Sequence, residues 1–183
     1  MPHVLLLLGS NIDKERNLRA AVRLLGLAVE VLALSPVYET TPVGLREQPD
    51  FFNAAALVRT ELPADALKDG PLAAIERALG RARTADKNAP RTIDLDIALY
   101  DDVVGDYTPA DGLPRHLPEP DLLRFAHVAR PAADLLPVLP HPVTGEPLGD
   151  IATRLVLAAQ AAHGDVIRPR PDVDLWAALA SDQ

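Results

Sequence analysis

Apolar positions follow two rhythms along this chain, and the switches between them mark its elements. Residues 3–8 (His3-Val4-Leu5-Leu6-Leu7-Leu8) form a short continuous apolar run ended by Gly9-Ser10-Asn11, the pattern of a buried strand entering a turn. A helix follows. Leu18, Ala21, Val22 and Leu25 fall at i, i+3, i+4 and i+7, with Asp13 or Asn17 to cap the start and Gly26 to end it. Residues 29–38 read as a second strand, broken near its end by Pro36. Thr40-Thr41-Pro42-Val43-Gly44 opens a loop that runs through Gln48-Pro49-Asp50 into a strand over residues 51–59. That loop is long for a hairpin, and long loops in compact domains tend to carry function.

Pro63 suits the first turn of a helix, and Leu72, Ile75 and Leu79 supply its apolar stripe up to Gly80. Gly70-Pro71 should kink or split it, because proline removes a donor and clashes with the preceding turn. A strand over residues 92–100 comes next. The order β-α-β-β-α-β predicts an α+β fold, a ferredoxin-like antiparallel sheet with helices packed on one face. Beyond residue 107 the chain is proline-rich, then helical over residues 121–136 and 148–163, so C-terminal helices extend the core arrangement. Residues 1–163 read as one domain. Residues 164–183, with Arg168-Pro169-Arg170-Pro171 and Trp176, form a C-terminal extension with no assigned role.

Composition narrows the classes. The 183 residues are enough for one full core, and an apolar share of 48% is ordinary. A formal charge of −8 argues against a nucleic-acid partner. The chain has no cysteine, which removes disulfides and thiolate metal sites. The apolar run near the start is far too short to span a membrane and lacks a leader's basic flank. The expectation is a soluble cytoplasmic protein, monomer or homodimer.

Chemistry concentrates in Pro90-Arg91-Thr92-Ile93-Asp94-Leu95-Asp96-Ile97. On a strand, Ile93, Leu95, Ile97 and Leu99 would share an apolar face while Asp94 and Asp96 project from the other, about 6.6 Å apart. Two carboxylates so placed suit Mg²⁺, which is usually held by one or two carboxylates plus substrate phosphates. On its own the pair is as readily plain surface charge. Five of the eighteen Lys and Arg lie between residues 77 and 91, however: Arg77, Arg81, Arg83, Lys87 and Arg91, with Asp86 the sole acid among them. Four guanidiniums, each a planar fork matched to phosphate oxygens, favour a phosphate ligand. A helix end with dipole-complementing cations accounts for Arg77 and Arg81, but not Arg91.

These residues resemble the 6-hydroxymethyl-7,8-dihydropterin pyrophosphokinases of folate biosynthesis. The resemblance is carried by Leu8-Gly9-Ser10-Asn11, by Ser35-Pro36-Val37-Tyr38-Glu39-Thr40 with Pro42-Val43-Gly44, and by Gln48-Pro49-Asp50-Phe51-Phe52-Asn53-Ala54-Ala55. Ile75-Glu76, Gly80-Arg81-Ala82-Arg83 and the Pro90–Ile97 run complete it, over residues 3–140. The resemblance implies transfer of pyrophosphate from ATP to the pterin hydroxymethyl oxygen, leaving AMP, with two Mg²⁺ on Asp94 and Asp96. It implies catalytic roles for Arg81 and Arg91, ATP contacts at Glu76, Arg83, Ile97 and Arg124, and a pterin slot of Thr40, Thr41, Val43, Phe51, Asn53 and His127. Without it, Phe51 reads first as a core aromatic and Asn53 as a turn-side amide.

The C-terminal part departs from the family pattern. Pro118-Glu119 stands where the family has Pro-His, Arg124 comes one position early, His127 takes an aromatic's place, and Asn88 replaces an aromatic in the Arg-rich loop. An inactive ferredoxin-like binding module and an unrelated Mg-dependent nucleotidyl transferase are the competing readings.

Overall fold

The computed structural model describes residues 1–42, 48–82, 89–164 and 167–180. Strand β1 (His3–Ser10) lies inside an antiparallel sheet, with β5 (Asp94–Tyr100) on one side and β4 (Phe51–Arg59) on the other. Helix α1 (Lys14–Ala28) joins β1 to β2 (Glu30–Leu34) and β3 (Tyr38–Thr40), which both pair with β4. Between β4 and β5 come α2 (Ala64–Leu67), a π-helical turn (Lys68–Leu72) and α3 (Ala73–Ala78). A hairpin of β6 (Gly105–Tyr107) and β7 (Arg115–Leu117), a 3₁₀ turn (Pro120–Leu123), and helices α4 (Ala126–Leu135) and α5 (Leu148–His163) follow. Strand β8 (Ile167–Pro169) then extends the sheet beside β3, and α6 (Leu175–Ala180) ends the chain's described part.

The run in β1 is continuously apolar because both faces of the sheet are covered. On the first face Val4, Leu6 and Leu8 pack with Leu18, Val22 and Leu25 of α1, Ile75 of α3, and Leu95 and Ile97 of β5. On the second face Leu5, Ala55 and Leu99 meet the alanine-rich stripes of α4 and α5, among them Ala129, Ala132, Ile151 and Ala152. The expected ferredoxin-like α+β arrangement is therefore present, with α4 and α5 on the opposite face from α1 and α3.

Local departures have local causes. The strand expected over residues 29–38 is cut at Pro36; Ser35 bridges the gap, its Oγ accepting from Ala55 N at 2.8 Å. Leu99 leaves the face of Ile93, Leu95 and Ile97, because the register passes from Leu5↔Leu99 to Leu6↔Ile97 and the extra residue, Ala98, forms a bulge. Helix α1 does not stop at Gly26. A Cβ there would come within 2.4 Å of Leu179 Cδ1, so the glycine marks where α6 crosses α1. Residues 167–180 share the first-face core through Val173 and Leu175.

Candidate active site

A cavity of about 360 Å³ opens on the second face, at the end of the sheet where β1 terminates. Antiparallel register assembles its floor: Asp94 on β5 and Asn53 on β4 both lie opposite Gly9 of β1. Two strand spacings separate them, about 10 Å. Gly9 leaves the ground between them open, since its missing Cβ would stand 3.5 Å from Asn53 Oδ1. Thr40, Thr41, Phe51, Arg91 and Asp96 line the cavity from the sheet and its loops. Glu119, Asp121, Phe125 and His127 line it from the 3₁₀ turn and α4.

The acidic pair is embedded in cations. Asp94 Oδ2 accepts from Arg91 Nη1, and its Oδ1 stands 3.3 Å from Arg81 Nη2, whose other Nη donates to Ile93 O at 3.1 Å. Asp96 Oδ1 accepts from Lys68 Nζ at 3.0 Å. Lys68 is 3% exposed, and its ammonium also reaches Glu76 Oε1 at 3.2 Å and the carbonyl of Leu95. Glu76 Oε1 in turn accepts from Leu95 N at 3.0 Å, so the lysine and glutamate fix β5 from beneath. Burial disfavours the Lys68 charge, but Asp96, Glu76 and Asp94 outweigh it and keep the amine protonated. Burial also works against an ionised Asp96, yet Lys68 holds that carboxyl below the usual range. Burial, and next the Asp96 charge, lift Asp94 in spite of its two guanidiniums.

This donor set fits Mg²⁺. Two carboxylates share one face, and the charge of one still disfavours ionisation of the other, which is a shortage of positive charge that a divalent ion would relieve. Among the described residues no group of three or more His, Cys, Asp or Glu gathers as a metal centre, so phosphate and water oxygens would have to complete the coordination.

Across Gly9 the chemistry changes to flat and amide-like. Asn53 Nδ2 donates to Thr40 Oγ1 at 2.7 Å, presenting an in-plane amide beside a hydroxyl. The Arg91 guanidinium lies 5.7 Å from the Phe51 ring centroid, so it spans the acidic pair and the aromatic wall. Phe125 and His127 stack at 5.4 Å with an interplanar angle of 27°. Burial pushes the His127 pKa down to about 4, leaving a neutral imidazole at pH 7. Burial also raises Glu119 and Asp121 at the cavity's other wall.

The site brings together Arg81, Arg91, Asp94, Asp96, Thr40, Thr41, Phe51, Asn53 and His127. It does not bring in Ile97, which strand alternation turns into the first-face core at 1% exposure. Glu76 faces Lys68 rather than the cavity, and Arg124 stands exposed at the rim, 3.3 Å from Asp121. Val43, Arg83 and Asn88 lie outside the described residues. Sequence reasoning missed Lys68, Phe125 and Asn11. Asn11 Oδ1 accepts from Arg91 N at 2.7 Å while its Nδ2 reaches Gln48 Oε1 at 3.0 Å, tying the two loops that frame the site. A polar triplet closing a buried strand was the signal for Asn11; a lysine inside an apolar helix stripe was the signal for Lys68.

Comparison with known proteins shows the family. Residues 5–137 match the family model of 7,8-dihydro-6-hydroxymethylpterin-pyrophosphokinase (HPPK). A 2-amino-4-hydroxy-6-hydroxymethyldihydropteridine pyrophosphokinase of Porphyromonas gingivalis is 36% identical over 152 residues, covering 80% of this chain and 99% of that protein. The folic acid synthesis protein fol1 of Schizosaccharomyces pombe is 36% identical over 151 residues, covering 80% of this chain and 20% of that protein. The chain thus spans about a fifth of that relative's length. Wild-type Plasmodium falciparum HPPK-DHPS superposes with a TM-score of 0.70 at 11% identity, over 89% of this chain and 46% of that one, a likeness of fold. With the family model spanning most of its length and the paired aspartates, arginines and amide slot in place, the chain belongs to the 7,8-dihydro-6-hydroxymethylpterin-pyrophosphokinase family.

Proposed function

We propose that the protein transfers pyrophosphate from ATP to the hydroxyl of 6-hydroxymethyl-7,8-dihydropterin, giving AMP and the pterin diphosphate. The observation that carries this is the juxtaposition across Gly9 of a cation-hungry carboxylate pair with a flat slot that ends in an amide. Asp94 and Asp96 would hold two Mg²⁺, which when bound neutralise the triphosphate and polarise its oxygens. Asn53 and Thr40 read the edge of the pterin, which has donors and acceptors in one plane. Phe51, with Phe125 and neutral His127, supplies faces for the ring. Arg91 lies where slot and acidic pair meet, so its guanidinium stabilises charge on the β-phosphoryl group as the hydroxyl attacks and AMP leaves. Arg81 assists from the far side of Asp94. Lys68 and Glu76 are positioning residues that fix Asp96. Arg83 and Arg124 take nucleotide oxygens, and Val43 completes the pterin edge.

The reading includes a cytoplasmic protein, monomer or homodimer, that takes small molecules and no nucleic acid. Among the described residues no helix is long and apolar enough to cross a membrane. The test is incubation with ATP, Mg²⁺ and the hydroxymethyl dihydropterin. AMP formed in step with pterin diphosphate is the expected result; ADP release, or no turnover, overturns it and returns the inactive module or an unrelated transferase. Asp94→Asn and Asp96→Asn should each lower kcat at least about 10³-fold. Chelation of Mg²⁺ should abolish turnover without unfolding the chain.

A further inference from the structure

The extension left without a role in the sequence reaches back to the pterin slot. Strand β8 adds to the edge of β3 with Glu39↔Arg168 and Thr40↔Ile167, and β3 pairs with β4 so that Glu39 lies opposite Phe52 and Thr40 opposite Phe51. Alternation then separates two layers. Thr40, Phe51 and Asn53 face the cavity, while Glu39 and Phe52 face the reverse of the sheet.

On that reverse side three cations hold the residues that precede the slot. Arg168 Nη2 meets Asp50 Oδ2 at 2.8 Å and Glu39 Oε2 at 3.9 Å. Arg170 Nη1 meets Glu39 Oε2 at 3.1 Å, and its guanidinium lies 4.7 Å from the Phe52 ring centroid. Lys14 Nζ joins the same two feet from α1, at 2.5 Å to Glu39 Oε1 and 3.0 Å to Asp50 O. Arg170 is itself fixed, by a two-pronged pair with Asp172 at 2.9 and 2.7 Å and by its backbone N–H on Val37 O at 2.8 Å. Glu39 immediately precedes Thr40, and Asp50 immediately precedes Phe51. A pull on either carboxylate therefore moves a residue of the slot.

We propose that the C-terminal segment is a clamp for the pterin slot, in which Arg168, joining Glu39 to Asp50 across the β3–β4 pair, and Arg170, holding Glu39, act as positioning residues. The inference rests on the proposed pterin substrate for its kinetic consequence, though not for its structural one. An exposed ion pair contributes little to global stability, but here the two arginines share with Lys14 the task of setting one geometry.

The test compares wild type, Arg168→Gln, the double variant Arg168→Gln/Arg170→Gln, and Arg168→Lys. Two readouts are taken: steady-state kinetics with each substrate varied, and amide hydrogen exchange of peptides covering residues 38–42 and 48–53. The double variant should raise KM for the pterin about tenfold, with kcat and KM for ATP within about twofold, and Arg168→Lys should stay near wild type. Exchange over those peptides should quicken while β1 stays protected. Unchanged exchange in a folded double variant overturns the clamp whatever the kinetics. Faster exchange with an unchanged pterin KM, or a fall in kcat with a parallel rise in both KM values, also overturns it. Should the wild type form no AMP, the functional reading fails, and the exchange result alone decides the clamp.

Discussion

An ammonium and a carboxylate buried together cost several kcal/mol in lost hydration, and only mutual pairing offsets it. Lys68 and Glu76 are such a pair, each 3% exposed, and their shared duty is to hold β5 and Asp96. Lys68→Met takes the ammonium from beside the buried Glu76 carboxylate and should destabilise the fold by about 3 kcal/mol in urea denaturation, while Lys68→Met/Glu76→Met should recover part of that, Leu95 N losing its acceptor in exchange. Turnover should stay low in both, because Asp96 loses the cation that fixes it. Recovered activity in the double variant would refute that role. The spacing of Asp94 and Asp96 was legible in the sequence because it is a property of one strand. For Lys68 only its odd place in an apolar stripe was legible and not its role, because its three partners are brought to it by helix, sheet and register together. His127 makes a second residue-scale prediction. Its pKa of about 4 in the fold lies below the ordinary 6.5, so between those values the unfolded chain binds more protons. Its contribution is complete above pH 6.5 and is lost as pH falls toward 4, by about 3 kcal/mol in all. His127→Phe should flatten that part of the stability profile, as thermal melts across pH 4–7 would show.

Elements were read well where one periodicity ran unbroken. The strand over residues 51–59 and the helix over 148–163 match the observed β4 and α5, since a nearly continuous apolar run in one and the i, i+3, i+4 pattern in the other are purely local. Short edge pieces such as β6, β7 and β8, three residues each, carry too little pattern to announce themselves. The Gly70-Pro71 break was seen, but not its form. Proline's missing donor is absorbed by one widened turn, so the helix continues from Lys68 to Ala78 and brings Lys68 and Glu76 beneath the same strand. Gly70 is exposed and stands in helical backbone immediately before Pro71, where a Cβ would crowd the proline ring, so Gly70→Ala should bring no gain in stability and leave turnover unchanged. Gly80 reaches further. Its φ of +74° ends α3 and lets Arg81 N bond Glu76 O at 2.9 Å, aiming Arg81 at the site. Gly80→Ala should cost about 1 kcal/mol and lower kcat, a pairing of effects that Gly70→Ala lacks.

At the scale of the whole molecule, what matters is whether the clamp belongs to the same cooperative unit as the sheet it grips. The sequence set residues 164–183 apart only as an extension without an assigned role. The structure instead buries Val173 and Leu175 in the core beneath α1, threads Leu179 over Gly26, and bonds Arg19 Nη1 to Asp174 O at 2.8 Å. A segment anchored by core side chains should unfold with that core rather than before it. The chain carries one tryptophan, Trp176, and it lies on α6, so intrinsic fluorescence reports the C-terminal helix while far-ultraviolet circular dichroism reports the sheet and the long helices. Urea titrations followed by the two signals should coincide, as two-state unfolding requires. Leu175→Ala, which empties a site 3% exposed, should lower stability by about 2–4 kcal/mol and move both curves together. A fluorescence transition that runs ahead of the dichroism in the wild type would make the segment a separate appendage, too loosely held to set the geometry of Glu39 and Asp50.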